Sequence, residues 1–100
     1  MIKKGVYRHF KGGLYLLEDI AKDSETLDEI VVYRALYNDF SLWVRPLKMW
    51  EETVKKDNTN VKRFEFLCDV FEEKNIIKCH MGDIDKNRAM YFIKRLADEC

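Results

Sequence analysis

The stretch Ile30–Tyr37, IVVYRALY, decides the fold. Its β-branched and aromatic residues run along nearly the whole segment and leave both faces mostly apolar, the pattern of a largely buried central strand. Working outward from it, Asn38-Asp39 supplies a turn, and Ser41–Arg45 (SLWVR) alternates, with Leu42 and Val44 on one side and Trp43 and Arg45 on the other. Pro46 ends that strand because it has no N–H to donate. Upstream, the apolar runs Val6–Phe10 and Leu14–Ala21 flank Lys11-Gly12-Gly13, which predicts a hairpin. Between the second run and Ile30, Lys22–Glu29 carries Asp23-Ser24-Glu25-Thr26 and is too polar for a buried strand. It reads as a surface loop or a single capped turn, and as the first candidate functional loop.

Downstream, Pro46–Trp50 reads as a short turn that tucks Leu47 and Met49 or Trp50 under the sheet. A polar hairpin follows around Asp57-Asn58-Thr59-Asn60, flanked by strands Thr53–Lys56 and Val61–Phe66. So many short strands within roughly sixty residues predict a small, strongly bent antiparallel sheet or a partly open barrel. Beyond that point Phe66, Leu67, Val70 and Phe71 recur at helical spacing and predict a short helix. Ile76–Met81 reads as a strand and Gly82-Asp83 as a turn. A C-terminal helix over about residues 84–98 places Ala89, Met90, Ile93, Leu96 and Ala97 on one face. Asp83 or Asp85 would cap it, and Lys94 and Arg95 suit its far end. The expected class is mainly β with a C-terminal α element.

One hundred residues make one domain, and 47% hydrophobic with 36% charged residues is an ordinary globular balance. Eighteen Lys and Arg offset eighteen Asp and Glu, so the whole molecule has no strong field for phosphate backbones or anionic lipid. No apolar run follows the charged start MIKKGVYRHF, and none approaches the roughly 20 residues of a membrane span, so a cytoplasmic protein without membrane attachment is expected. Cys68, Cys79 and Cys100 are odd in number and form no C-x-x-C pair, which argues for reduced thiols. Cys79 and His80 are adjacent but lack a second ligand pair at zinc spacing, so no metal and no cofactor are expected. There is no P-loop, dinucleotide glycine pattern, G-x-S-x-G elbow or H-E-x-x-H helix, and nothing in the sequence brings Cys68 or Cys79 to His9 as a nucleophile pair.

Four spaced motifs occur in order: G-V-Y-R-H-F-K-G at Gly5–Gly12, S-E-T at Ser24–Thr26, V-V-Y-R-A-L-Y at Val31–Tyr37 and L-W-V-R-P at Leu42–Pro46, followed by Met49 and Glu52. Through them Gly5–Phe66 resembles DUF1653, a family of small bacterial and phage proteins of unknown function. The resemblance implies an SH3-like β-barrel over residues 1–66 and assigns no reaction. Many members stop near Phe66, so residues 67–100 are expected to be a C-terminal extension packed on the same domain.

The polar and aromatic groups Tyr7, Arg8, His9, Ser24, Glu25, Thr26, Tyr33, Trp43 and Arg45 lie on or beside strands where plain core residues would suffice. Trp43 and Arg45, two apart on one strand face, put a flat apolar wall beside a guanidinium, which suits a carboxylate, a phosphate, a base or a peptide backbone. The expected site is a concave patch of Arg8, His9, Glu25, Tyr33, Trp43 and Arg45 on a non-enzymatic module that binds a small ligand or a protein. The competing reading makes Arg45 and Glu25 a structural ion pair and gives Tyr7, Tyr33 and Trp43 to the core. An enzyme would use His9 as acid–base with Glu25 or Arg45 as its partner. Single-stranded nucleic-acid binding would use Lys3, Lys4, Arg8, Lys11 and Arg45 with Tyr7, Phe10 and Trp43 as stacking platforms. Tyr91 and Phe92 widen the apolar stripe of the last helix and suggest a homodimer.

Overall fold

The computed structural model describes residues 2–69 and 86–98. Among these residues, seven strands and two helices are ordered β1 (Gly5–His9), β2 (Leu14–Lys22), β3 (Glu29–Ala35), β4 (Leu42–Pro46), α1 (Leu47–Trp50), β5 (Thr53–Lys56), β6 (Thr59–Lys62), β7 (Phe64–Asp69) and α2 (Lys86–Asp98). Five strands form an antiparallel sheet in the order β4-β3-β2-β1-β7, while β5 and β6 make a separate hairpin.

Local chemistry explains the turns. At Gly12 the chain adopts φ +106°, open to glycine and strained for other residues, while the His9 N–H donates to the Gly13 carbonyl at 2.8 Å. Asp57 and Asn58 both take positive φ, the conformation of a two-residue hairpin turn whose twist matches the strands it joins. Asp23 closes the loop after β2, its Oδ1 accepting from the N–H groups of Glu25 and Thr26.

Strand alternation divides the core between the two sheet faces. On one face Val6, Leu14, Leu16, Leu36 and Phe40 pack against Ala89, Ile93 and Leu96 of α2. On the other, Tyr7, Leu17, Val31, Tyr33 and Phe64 surround Trp50 at the end of α1. Bulges between Leu17 and Asp19 and between Val6 and Tyr7 add local twist.

The structure bears out the mainly β class and the bent antiparallel sheet, and of the alternatives expected no barrel closes among the described residues, because β4 and β7 remain the sheet's two edges. It corrects two expectations. The segment beginning at Phe66 is strand as far as Asp69, since pairing with β1 overrides a short helical periodicity; Val70 and Phe71 lie outside the described residues. The run Val61–Phe66 divides at Arg63, where the chain stops pairing with β5 and starts pairing with β1. The expected strand Ile76–Met81, the turn at Gly82-Asp83, the Asp83 or Asp85 cap and the Cys79-His80 pair also lie outside the described residues. No described helix is long and apolar enough to cross a membrane.

The docking of α2 has a direct test. Ile93 is fully buried between helix and sheet, whereas Tyr91 is 61% exposed. Ile93→Ala should cost about 2–5 kcal/mol and Tyr91→Ala less than about 1 kcal/mol in urea unfolding, the difference between a core cavity and a surface truncation.

Candidate binding site

The sheet face turned away from α2 is paved with rings. Register places Tyr7 opposite Tyr15, Leu17 opposite Tyr33 and Tyr33 opposite Trp43, so the aromatic side chains of four adjacent strands fall on one side. Tyr15 meets Tyr33, Tyr37 and Phe64 edge-on at centroid distances of 5.4, 5.5 and 5.7 Å. The hydroxyls of Tyr15 and Tyr37 share a short hydrogen bond. Trp50 lies flat on Phe64 at 3.7 Å, and His9 stands edge-on to the same phenyl ring at 4.9 Å. The edge-on contacts are the arrangement that aromatic quadrupoles favour, while Trp50 and Phe64 lie face to face.

At one end of this floor Tyr15, Tyr33, Tyr37, Asn38, Asp39 and Trp43 line a cleft of about 230 Å³. Trp43 remains 54% exposed there. Beside it, Arg45 faces the same way, with its guanidinium carbon 5.7 Å from the centre of Phe64. Its Nε is buried with no hydrogen-bond partner. None of the hydrogen bonds and ion pairs among the described residues involves the Arg45 guanidinium, which leaves a half-buried cation over an aromatic ring.

That cation shapes the titration of its neighbours. Burial pushes the His9 pKa below its ordinary value, and the positive charges of Arg45, Arg63 and Lys11 push it further the same way. His9 is therefore neutral at pH 7, and its Nδ1 accepts the Lys11 N–H at 3.1 Å. Burial and the hydrogen bond to Tyr37 raise the Tyr15 phenol, which stays protonated. The site thus offers a neutral imidazole and phenols, flat apolar surface, the Arg45 guanidinium, which has no hydrogen bond or ion pair among the described residues, and, lining the same cleft, the Asp39 carboxylate. It suits a planar ring bearing an anionic group.

Of the six residues expected at the site, His9, Tyr33, Trp43 and Arg45 share this face. Arg8 alternates to the opposite face of β1 and lines another cleft, of about 510 Å³, with His9, Phe10, Lys56, Lys62 and Glu65. Glu25 sits in the self-closed loop after β2, and no described hydrogen bond or ion pair joins it to His9 or Arg45. The expected Arg45–Glu25 pair is therefore not formed, because Asp23 holds the loop to itself. For the same reason His9 has no carboxylate partner in Glu25. The cations considered for nucleic acid are also dispersed: Lys4 pairs with Asp19 at 3.7 Å, and Arg8 and Arg45 lie on opposite faces.

Sequence reasoning missed Tyr15, Tyr37 and Phe64 as members of the floor, whereas of the two residues expected to tuck under the sheet, Met49 or Trp50, it is Trp50 that does so. A signal existed for Tyr15, since a hairpin at Gly12-Gly13 puts it across from Tyr7. Phe64 gives no such signal, because its place depends on β7 returning to pair with His9 of β1.

These features define a small antiparallel-sheet protein with a helix on one face and, on the other, a mostly buried aromatic layer that ends in a cleft beside the exposed Trp43. The family model for a protein of unknown function, DUF1653, matches residues 5–66, and the chain belongs to that family. It is similar to the crystal structure of a DUF1653 protein from Bordetella bronchiseptica, with 36% identity and a TM-score of 0.64, over 72% of this chain and 95% of that one. No curated protein matches the chain.

The electrostatic link between Arg45 and His9 yields a pH prediction. Between the ordinary histidine pKa and the lower native one, the unfolded chain binds a proton that the native state does not, so stability falls as pH drops through that window and levels off below it. Arg45→Met should raise the His9 pKa in an NMR titration and make the stability profile flatter between about pH 7 and 5.

Proposed function

We propose that this protein is a non-enzymatic binding module whose ligand carries a flat ring and a carboxylate or phosphate, with the ring against Trp43 and Tyr33 and the anion on Arg45. The observation that carries this reading is the Arg45 guanidinium, half-buried over Phe64 and, among the described residues, without a hydrogen bond or ion pair. Desolvating a cation without a partner is costly, and an anionic ligand would offset that cost with a charge-assisted, two-pronged contact. The exposed Trp43 ring beside the tyrosine-lined cleft gives such a ligand an apolar wall. His9 assists as a neutral imidazole rather than as an acid–base catalyst. A cytoplasmic location accords with the three cysteines, which lack a disulfide framework.

A thermal-shift series with nucleoside 5′-monophosphates and aromatic carboxylates tests the proposal, because a ligand bound to the native state raises Tm by mass action. At least one of these probes should raise the Tm of the wild type, with no rise from inorganic phosphate or uncharged nucleosides at the same concentration. Arg45→Met should abolish the shift and Trp43→Ala should reduce it, with both variants still folded. An equal shift in wild type and Arg45→Met, or no shift with any aromatic anion, would count against the proposal.

A further inference from the structure

Among the described residues, strand β4 forms one edge of the sheet, and its outer side is unusually apolar. Leu42, Trp43 and Val44 are 50%, 54% and 65% exposed. Edge strands of monomers are commonly protected by charges, prolines or bulges, because their unpaired backbone groups can template another strand. Within Leu42–Val44 there is no charge and no proline, and the ladder from β3 to β4 carries no bulge.

The ladder itself shows which backbone groups are available. The Ala35 N–H donates to the Ser41 carbonyl at 3.0 Å, which makes Ala35 and Ser41 a hydrogen-bonded pair. Antiparallel pairs alternate, so Tyr33–Trp43 and Val31–Arg45 are the next bonded pairs, and Leu42, Val44 and Pro46 turn their backbone groups outward. Pro46 fits this register, since it falls where β3 asks for no N–H. The N–H and C=O groups of Leu42 and Val44 therefore face away from the sheet.

We infer that this edge is the contact between two copies of the chain, joined antiparallel about a twofold axis at Trp43. In that register Leu42 pairs with Val44 of the partner subunit and Val44 with Leu42 of the partner subunit. Four hydrogen bonds then use every outward N–H and C=O of Leu42 and Val44 on both copies. Trp43 lies directly opposite Trp43 of the partner subunit on the aromatic face, and Leu42 meets Val44 of the partner subunit on the other. One self-complementary strand thereby covers three exposed apolar side chains, and ten strands become continuous. Shifting the twofold axis to Val44 is inferior: it brings Pro46 opposite Leu42 and leaves the Leu42 carbonyl without a donor. The two tyrosine-lined clefts, each bordered by Trp43, become neighbours across the axis.

Sedimentation velocity over a wide concentration range, with cysteine trapping, tests the inference. The wild type should shift from monomer to dimer with rising concentration. Val44→Lys should weaken the dimer at least tenfold while the far-UV circular dichroism and Tm stay near wild type, because Val44 is largely exposed in the single chain. Trp43→Cys should form a covalent dimer under mild oxidation, since facing residues in a non-bonded antiparallel pair have Cα atoms about 4.5 Å apart, within disulfide reach. Val44→Cys should cross-link far less. A wild type that is monomeric at every concentration, a dimer unaffected by Val44→Lys, or cross-linking through position 44 in preference to 43 would overturn the inference.

Discussion

The stack of Trp50 on Phe64 is the contact on which the rest of the aromatic face depends. The chain leaves the sheet at one edge, β4, and re-enters it at the other, β7, after crossing the face that α2 leaves open. Rings lying 3.7 Å apart and nearly parallel fasten the start of that crossing to its end. Tyr7 and Tyr33 close on the indole from the sides at 5.2 and 5.0 Å, so the excursion is held to β1 and β3 as well. Backbone contacts reinforce it. Arg63 donates to the Glu52 carbonyl at 2.9 Å and accepts from Phe10 at 2.9 Å, while Lys56 reaches the Phe10 carbonyl at 3.1 Å. The buried indole N–H has no acceptor, an opposing cost of about 1–3 kcal/mol, so ring packing outweighs a polar loss here.

Two arginines in the same sheet show what separates the two faces. Under α2, the Arg34 Nε donates to Glu18 at 2.6 Å, its Nη1 donates to the Phe40 carbonyl at 2.8 Å, and its guanidinium sits 4.2 Å from the Phe92 ring centre. Its Nε, one terminal nitrogen and the guanidinium face all have protein partners, as suits a structural cation. Arg45, on the open face, has an aromatic ring beneath it and no acceptor. The contrast assigns Arg34 to the architecture and is the difference on which the proposed role of Arg45 rests.

Much of the sheet was legible because strands β1 to β4 are consecutive and joined by short turns, so alternation and turn residues carry the whole pattern. The pairing of Trp43 and Arg45 on one face needed nothing beyond a period of two. What failed to be legible depends on sequence-distant pairing. Phe66 and Leu67 have helical spacing, yet β1 offers them a ladder, and no local signal reports a partner sixty residues away. The same return places Phe64 beneath Arg45 and His9, so the floor of the site was invisible while two of its walls were plain. Glu25 misled for the opposite reason. Its loop is closed by Asp23 two residues before it, a local capping contact that outcompetes a distant guanidinium.

Urea unfolding of Trp43→Ala, Arg45→Met and Trp50→Ala separates a surface that serves a ligand from a ring that serves the fold. Losses under about 1 kcal/mol are expected for the first two and about 3–5 kcal/mol for the third, as for exposed and core positions. Losses at Trp43 or Arg45 as large as that at Trp50 would place them in the core and contradict that separation.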